Sequence, residues 1–349
     1  MSLRFRIASG VFRGHRLWHH LATVTLSHHS NGMAWEESAP GWSLVERSIR
    51  MGSRFLASRQ RDDGSFRAFR LAPGLSVGWI TAHVAFVTES VPEMTTVGDA
   101  AARHLIESGP DDGGWGFNRR VAIDYDSTAQ ALLVLQRHGI EGPDFIHRWL
   151  RRGQGSDGGF PTYPPGAEGP LHGWQAEHPD TTQMAALYLV RHGHEEAAER
   201  AIRWLASLST GGVTPSYWWS GPGYGWWLGR RLGQTGPPAS VLEATLRSSH
   251  SVPDLAFTVS VAMGRVTGDV IDTALVRLLA LQRADGSWPC APCLRVTDQR
   301  HHRAGEDAPG RVHADTRRVL STAHAVAALS EMRSGRPHLE SAVQGQSND

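Results

Sequence analysis

The sequence predicts an all-α fold, an (α/α)6 barrel of six helical hairpins between residues 44 and 332. Three observations support this prediction. An apolar helical segment that ends in Gln recurs along the chain, at intervals of roughly 45 to 75 residues. Each clear copy is followed by an Asp-Gly turn with an aromatic residue, and then by a second helical segment that begins with Thr-Ala or Thr-Thr. Because repeated units bury their apolar faces against each other, we expect inner and outer helices to close around a central cavity.

The first two repeats show the pattern clearly. In the first, Gln60 ends the outer helix, the turn is Asp63-Gly64-Ser65-Phe66, and the inner helix contains Thr81-Ala82-His83. In the second, the turn is Asp112-Gly113-Gly114-Trp115, and the inner helix contains Ser127-Thr128-Ala129-Gln130. Glycine allows the positive φ that such a turn needs, and the aromatic ring packs back between neighbouring helices. We therefore expect the turns to be structural and to place all inner-helix starts at one end of the cavity.

The later repeats differ in clarity. The third has Gln154, then Asp157-Gly158-Gly159-Phe160, and the sixth has Gln282, then Asp285-Gly286-Ser287-Trp288. The fourth is degenerate, and the fifth consists of two apolar segments without the motif. The fourth repeat has a segment at 204–208 followed by the aromatic run 217–227. The fifth has a segment at 239–247 followed by one at 254–263. Outside the repeats we expect an N-terminal arm over residues 1–43 and a polar C-terminal tail over residues 333–349.

Composition places the chain among soluble globular proteins. Of its 349 residues, 40% are hydrophobic and 20% are charged, which suits a sizeable core. The formal net charge is +1, with all 35 basic residues being Arg, and this balance argues against a nucleic-acid partner. No apolar run approaches the roughly 20 residues of a membrane span, and no secretory signal is recognised. We therefore expect a cytoplasmic protein, with peripheral membrane contact and homodimerisation left open.

The stretch 123–130 places two carboxylates, Asp124 and Asp126, two residues apart at the start of an apolar helical run. A carboxylate at a helix start can cap the free backbone N–H groups there, and this is one interpretation of Asp126. The other is catalysis. Two carboxylates that lie close together do not both ionise cheaply, so one stays protonated and can act as an acid.

Two motifs resemble those of class II terpene cyclases. Residues 52–66 match the Gly-x-x-Phe-Leu-x-x-x-Gln-x-x-x-Gly-x-Phe pattern of the QW repeat of squalene-hopene cyclases, oxidosqualene cyclases and their diterpene relatives, and residues 154–160 and 282–288 repeat its second half. Residues 124–129, Asp-Tyr-Asp-Ser-Thr-Ala, resemble the Asp-x-Asp-Asp-Thr-Ala motif of these enzymes. The resemblance covers residues 44–332, which make one barrel, whereas squalene cyclases have two such domains and diterpene cyclases add a third.

The resemblance implies an enzyme, an isomerase that cyclises a linear isoprenoid or an isoprenoid-bearing small molecule. In the family, the middle Asp of the motif protonates the terminal double bond. That position is Asp126, with Asp124 as its supporting carboxylate. Ser127 stands where the family has its last Asp. Oxidosqualene cyclases also have a small hydrogen-bonding residue there, so both an alkene and an epoxide are compatible substrates.

Side chains on the inner helices are candidates for substrate binding. Trp79 aligns with Asp126, and aromatic π faces stabilise cations. Asp180 is expected to be the counterpart of Ser127, with helix capping as its alternative role. Registration on the shared Thr makes four further positions equivalent: His83, Gln130, Gln183 and His324. The aromatic run adds three candidates, Tyr224, Trp226 and Trp227. For the rings and the histidines, core packing is the alternative.

No metal or cofactor is expected. Cys290 and Cys293 have a spacing that suits two zinc ligands, but no second Cys pair exists, and residues 289–316 are predicted to be a long loop. Asp62-Asp63 and Asp111-Asp112 belong to the structural turns, so no Asp-Asp-x-x-Asp metal motif is present. Magnesium is expected only if the substrate carries a diphosphate.

Two alternatives to a cyclase share the predicted barrel. One is a non-catalytic isoprenoid-binding or subunit-type barrel that has lost proton transfer. The other is a barrel like the β subunits of protein prenyltransferases, which bind zinc, although their Asp-x-Cys ligand pair is not found in this sequence.

Overall fold

The computed structural model describes residues 40–109, 113–169, 172–305 and 309–346. Most of the predicted N-terminal arm lies outside the described residues, and so does the pair Asp111-Asp112.

The described part of the chain contains twelve α-helices that alternate between two layers. The outer layer contains α1 (Pro40–Arg59), α3 (Thr95–Glu107), α5 (Asp144–Arg152), α7 (Glu195–Leu208), α9 (Ala239–Ser248) and α11 (Gly268–Ala280). The inner layer contains α2 (Gly78–Val87), α4 (Tyr125–Arg137), α6 (Pro179–Arg191), α8 (Gly223–Arg231), α10 (Val252–Ala262) and α12 (Val319–Gln346).

The inner helices form a closed ring. Each packs against the next in chain order, and α12 packs against α2. In α2 every residue from Trp79 to Val87 is buried, as expected for a helix surrounded by protein. The outer helices bury one face only; in α5 the buried residues are Ile146 and Leu150, which lie four residues apart and therefore on one side. The predicted all-α barrel of six hairpins is confirmed.

Glutamine side chains tie the outer layer together. At three turns, Gln Nε2 donates to a carbonyl oxygen of its own turn and to a second one in the next outer helix in the ring. The donors are Gln60, Gln154 and Gln282, and the second acceptors are Val97, Ala197 and Ser48. Because Ser48 belongs to α1, Gln282 joins the last outer helix to the first. The outer ring is thus also closed by hydrogen bonds.

Threonine side chains fix the register between each turn and its inner helix. At four turns, the backbone N–H of the aromatic residue donates to a Thr Oγ1 at 2.8 to 3.2 Å. The acceptors are Thr81, Thr128, Thr182 and Thr322. Since the same contact recurs, residues at the same distance from these threonines occupy equivalent positions in the barrel. Two residues before them lie Trp79, Asp126, Asp180 and Leu320.

Two antiparallel hairpins precede inner helices. Strands β1 (Ala68–Leu71) and β2 (Gly74–Ser76) pair before α2, and β3 (Pro292–Thr297) and β4 (Gly310–Ala314) pair before α12. Residues 289–316 are therefore not the long loop that we predicted. Strand β3 also pairs with residues 218–220, since Cys293 O accepts from Ser220 N–H at 2.9 Å and Trp218 O accepts from Arg295 N–H at 2.6 Å. A partner so distant in sequence leaves no local pattern that predicts the strand.

Helix α12 continues to Gln346, past the predicted start of the tail at residue 333. The polar composition that suggested a tail is also compatible with a helix that faces solvent. Among the described helices, none is both long and apolar enough to cross a bilayer.

Candidate active site

Asp126 lies in the first turn of α4, beside the start of α2. The indole Nε1–H of Trp79 donates to Asp126 Oδ2 at 3.0 Å. Asp126 is surrounded by protein, yet it keeps partial access to water. It is therefore an oriented carboxyl group that is largely, but not completely, enclosed by protein.

Asp124, not Asp126, caps α4. Its backbone is extended, with φ −131° and ψ 158°, and its Oδ1 accepts from Ser127 N–H at 2.6 Å. Its Oδ2 accepts from Ser127 Oγ–H at 2.8 Å. The structural interpretation of this motif thus applies to Asp124 and Ser127. The Asp126 side chain takes no part in this cap.

Burial raises the pKa of Asp126 well above its usual range, and the negative charges of Asp124 and Asp180 raise it further. The Trp79 hydrogen bond acts in the opposite direction because it favours the carboxylate. Burial also raises the pKa of Asp124 to about 7, against the effect of its hydrogen bonds from Ser127. A raised pKa keeps Asp126 protonated under conditions in which an exposed aspartate is ionised.

Asp180 is the counterpart of Asp126, not of Ser127 as we predicted. The sequence Thr181-Thr182 offers two possible registers, and the hydrogen bond from Phe160 N–H selects Thr182. The Asp180 carboxylate accepts from Ser216 Oγ–H at 2.7 Å and from the N–H groups of Tyr217 and Trp218 at 2.6 and 2.8 Å. It therefore holds the segment that leads into the barrel, and its charge acts on Asp126 from the next helix.

A layer of polar side chains lies one helical turn below the acid. His83 Nε2 is 2.7 Å from His324 Nε2, and the Gln130 amide lies 3.3 Å from His83 Nδ1 and 3.1 Å from Tyr224 Oη. Four of the predicted substrate-binding residues thus meet at the centre of the barrel. Neither histidine is hydrogen-bonded to Asp126 in the described structure.

Two further rings join this layer: Trp219, which lies in the aromatic run of candidates, and Phe257, which we did not predict. Trp219 lies 5.6 Å from His83 and 4.4 Å from Tyr224 between ring centroids, and Phe257 lies 4.2 Å from His324. Trp219 belongs to the aromatic run, which was a signal in the sequence. It precedes α8, however, and enters the barrel because its backbone pairs with Leu294 of β3.

Three of our candidates lie away from the acid. Gln183 Nε2 donates to Gly225 O at 2.9 Å, so its side chain lies between α6 and α8. Trp227 Nε1–H donates to Glu331 at 2.9 Å, and Arg231 covers its ring at 4.1 Å. Trp226 is buried, and its Nε1 has no hydrogen-bond partner among the described residues.

The predicted large cavity is not open. A pocket with a cavity volume of about 10 Å³, room for about one water molecule, lies between the starts of α8 and α10, lined by Trp219, Gly221, Tyr224, Ser251, Pro253, Asp254, Phe257 and Cys293. Small-molecule pockets usually measure about 300 to 1,000 Å³. Aromatic side chains fill the space below Asp126: the rings of Trp79 and His83 stack on α2, and Trp219 packs against Trp79 and Tyr224.

Cys290 is exposed, and Cys293 is buried beside the pocket. Within the described residues no group of three or more His, Cys, Asp or Glu side chains is arranged to hold a metal ion. Three arginines form ion pairs with acids: Arg231 with Glu89, Arg230 with Glu331, and Arg318 with Asp285.

A scan against protein-family models and a search of curated proteins give no match. Solved structures do match. A protein from Actinoplanes is 24% identical with a TM-score of 0.70, over 82% of this chain and 99% of that chain. The type II terpene cyclase MstE from Scytonema, in complex with merosterolic acid A as product, is 20% identical with a TM-score of 0.70, over 84% of this chain and 99% of that chain. In another structure, a variant of MstE binds its substrate, geranylgeranyl dihydroxybenzoate.

The ent-copalyl diphosphate synthase from Streptomyces platensis is 18% identical with a TM-score of 0.52, over 73% of this chain and 50% of that chain. The single barrel of this chain therefore spans about half of that larger enzyme. The likeness to MstE, in contrast, extends over nearly the whole of the other protein. The chain therefore has the fold of the type II terpene cyclases.

Proposed function

We propose that this protein is a class II terpene cyclase, which cyclises a linear isoprenoid or an isoprenoid-bearing molecule after Asp126 protonates an alkene or an epoxide. The observation that supports the proposal most is the setting of Asp126. It is enclosed by protein, oriented by Trp79 and partly accessible, and its pKa is raised by burial and by two neighbouring carboxylates.

These features suit an acid that must protonate carbon. A neutral carboxylic acid in a dry environment holds its proton until the π electrons of the substrate accept it. The resulting carboxylate is then stabilised by the Nε1–H of Trp79. Asp124 and Ser127 act on the acid from the helix cap, Asp124 through its charge and Ser127 by orienting Asp124.

The aromatic side chains below Asp126 suit the cation that follows. The rings of Trp79, Trp219 and Tyr224 lie in mutual contact there, and their π faces attract positive charge without forming a bond to it. The same rings would exclude water, which captures carbocations. Geranylgeranyl dihydroxybenzoate, the substrate bound by MstE, is the first compound to test, because the match to this chain covers nearly the whole of MstE.

A non-catalytic isoprenoid-binding barrel is the second candidate. The small pocket and the filled interior favour it, because a substrate needs more room than this conformation offers. A prenyltransferase-like barrel has less support, since the described residues offer no cluster of metal-binding side chains.

The decisive experiment compares wild type with Asp126→Asn. Both are incubated with geranylgeranyl dihydroxybenzoate, geranylgeranyl diphosphate, squalene and the terminal epoxides of these compounds, and products are identified by mass spectrometry. Wild type should form an isomer of one substrate, and the variant should lose at least about 10²- to 10⁴-fold in rate. Asp99→Asn, a matched change on the outer helix α3, should retain activity. Wild-type turnover by a folded Asp126→Asn protein would exclude Asp126 as the acid.

The same incubations separate the other candidates. A barrel that only binds isoprenoids would show quenching of tryptophan fluorescence without any product. A prenyltransferase-like protein would need zinc, so turnover that a chelator abolishes and zinc restores would exclude the cyclase proposal.

A further inference from the structure

A pair of buried histidines occupies the centre of the barrel, one turn below Asp126. Only 2.7 Å separates the Nε2 atoms of His83 and His324, and both side chains are completely buried. At this distance one ring must donate and the other must accept. The two imidazoles therefore share one proton along the line between them.

This hydrogen-bonded chain ends at an atom without a partner. His324 Nδ1 is buried and forms no hydrogen bond within the described residues, and the same holds for Gln130 Oε1. Folded proteins ordinarily satisfy buried polar atoms, because an unpaired one loses its hydration without compensation. Two such atoms in one polar layer indicate that a bound ligand supplies the missing contacts.

The surroundings of His324 suit contact with a hydrocarbon cation. Its ring lies 4.2 Å from Phe257, 5.8 Å from Trp219 and 6.4 Å from Tyr224. These same three rings line the pocket, so a ligand that displaces them reaches His324 Nδ1. Burial lowers the pKa of His83 to about 3 and that of His324 well below its usual range. Both imidazoles are consequently neutral when the ligand enters.

We propose that His324 is the catalytic base that ends the cyclisation and that His83 positions it; this inference rests on the proposed function. One arrangement of protons leaves His324 Nδ1 able to accept a proton. In it, the Gln130 carbonyl accepts from His83 Nδ1–H, and His83 Nε2 accepts from His324 Nε2–H. His324 Nδ1 then carries a free lone pair. The Gln130 amide can present either atom to His83, because its nitrogen and oxygen have nearly the same shape. In this orientation Oε1 is paired and Nε2 occupies the position without a partner, so the unpaired Nδ1 of His324 is the observation that carries the proposal.

The reaction balances without a further reagent. A C–H bond next to the cationic carbon breaks, its electron pair forms the new C=C bond, and the proton binds to His324 Nδ1. Asp126 has donated one proton and His324 has received one, so the substrate is isomerised without net change. After product release, His324 returns its proton to water, and Asp126 takes one from water through its accessible side.

The distance between Asp126 and the histidine pair along the barrel supports different roles for them. Gln130 follows Asp126 by four residues on α4, which corresponds to one helical turn of about 5.4 Å. The histidine pair is level with Gln130. Protonation and deprotonation would thus take place at different depths in the barrel, as a cation that migrates through a ring system requires.

The test is product analysis of His324→Phe with the substrate that wild type converts. Phenylalanine keeps the ring volume but has no basic atom. Substrate consumption should stay within about tenfold of wild type, because even weak bases such as water accept a proton from a carbocation. The share of the wild-type product should fall below half, replaced by double-bond isomers or an alcohol. His83→Phe should shift the products in the same direction, and His147→Phe, on α5, should leave them unchanged.

If His324→Phe gives the wild-type proportions of products, whatever its reaction rate, the inference is overturned. A merely structural histidine affects only rate and stability. If that variant does not fold, His324→Gln tests the same point, since its amide retains a hydrogen bond but accepts no proton. Loss of folding in both would assign the pair to stability and overturn it too. Failure of the proposed function is distinguishable, because it appears as wild-type turnover in Asp126→Asn.

Discussion

Trp79 and Asp126 occupy the same position on neighbouring inner helices, two residues before the threonine that accepts the recurring hydrogen bond from the turn. Trp79 Nε1–H donates to Asp126 Oδ2 at 3.0 Å. The barrel repeat thus places a hydrogen-bond donor directly opposite the acid. Asp180 holds this position on the third inner helix and adds a negative charge from the other side. Asp126 is therefore flanked by one group that lowers its pKa and one that raises it.

Replacement of Trp79 by Phe removes the donor and keeps a ring. Because the indole N–H favours the carboxylate, its loss should raise the pKa of Asp126 further. The acid then stays protonated to higher pH but donates less readily. We expect the maximal cyclisation rate to fall by about tenfold, and the alkaline limb of the pH–rate profile to move to higher pH.

Asp180→Asn provides the opposite control. Removal of that charge should lower the pKa of Asp126, so the alkaline limb should move to lower pH. The variant should also lose roughly 1 kcal/mol of stability, because asparagine has one acceptor oxygen where aspartate has two. It cannot accept both from Ser216 Oγ–H and from the backbone N–H groups of residues 217 and 218. Shifts of the same sign in both variants would contradict the opposed roles of these side chains.

Asp124 should make a contribution to stability that falls as pH rises towards neutrality. The buried histidines His83, His178 and His324, whose pKa values are lowered by burial, act in the opposite direction below about pH 6.5. Burial raises the pKa of Asp124 from 3.8 to about 7 on folding, so the folded state binds more protons than the unfolded state between these values. The free energy of unfolding therefore decreases with pH across that window, by roughly 4 kcal/mol for this group alone. Urea denaturation of wild type and Asp124→Asn at about pH 5 and pH 8 isolates this contribution, of which roughly 3 kcal/mol falls between these two pH values.

Asp124→Asn should reduce this pH dependence while α4 keeps its cap, since asparagine caps helices about as well as aspartate. Cyclisation should weaken less than in Asp126→Asn, because Asp124 does not donate the proton, and Ser127→Ala should weaken it less again. If the variant retained the full wild-type slope between pH 5 and 8, the pH dependence would have to come from other groups.

Closure of the outer ring can be tested at Gln282. Gln282→Ala removes the hydrogen bonds to Ser48 O and Gly286 O, and two such bonds contribute about 1 to 3 kcal/mol. Gln136→Ala removes an exposed hydrogen bond to Arg191 O and should change stability by no more than about 0.5 kcal/mol. Equal stabilities of the two variants would show that the Gln282 contacts add nothing to the barrel.

Local patterns in the sequence determined the barrel and the position of the candidate acid. The Gln-ending helices, the Asp-Gly turns and the first-turn threonines are spaced within single repeats, so short-range geometry sets them. The pair Asp124 and Asp126 also lies within one helix start, and its two roles, cap and acid, could both be stated from the sequence. That Asp124 is the cap follows from its extended backbone and its hydrogen bond from Ser127 N–H.

Only the tertiary structure decided which side chains meet across the barrel. His83 and His324 are 241 residues apart, and Trp219 enters the centre because β3 pairs with its backbone. The register of Thr181-Thr182 was ambiguous until a hydrogen bond selected Thr182, which made Asp180 the counterpart of Asp126 and moved Gln183 out of the ring. The filled interior likewise depends on how rings from separate helices pack together. Such contacts depend on closure of the whole ring, and no spacing within one repeat encodes them.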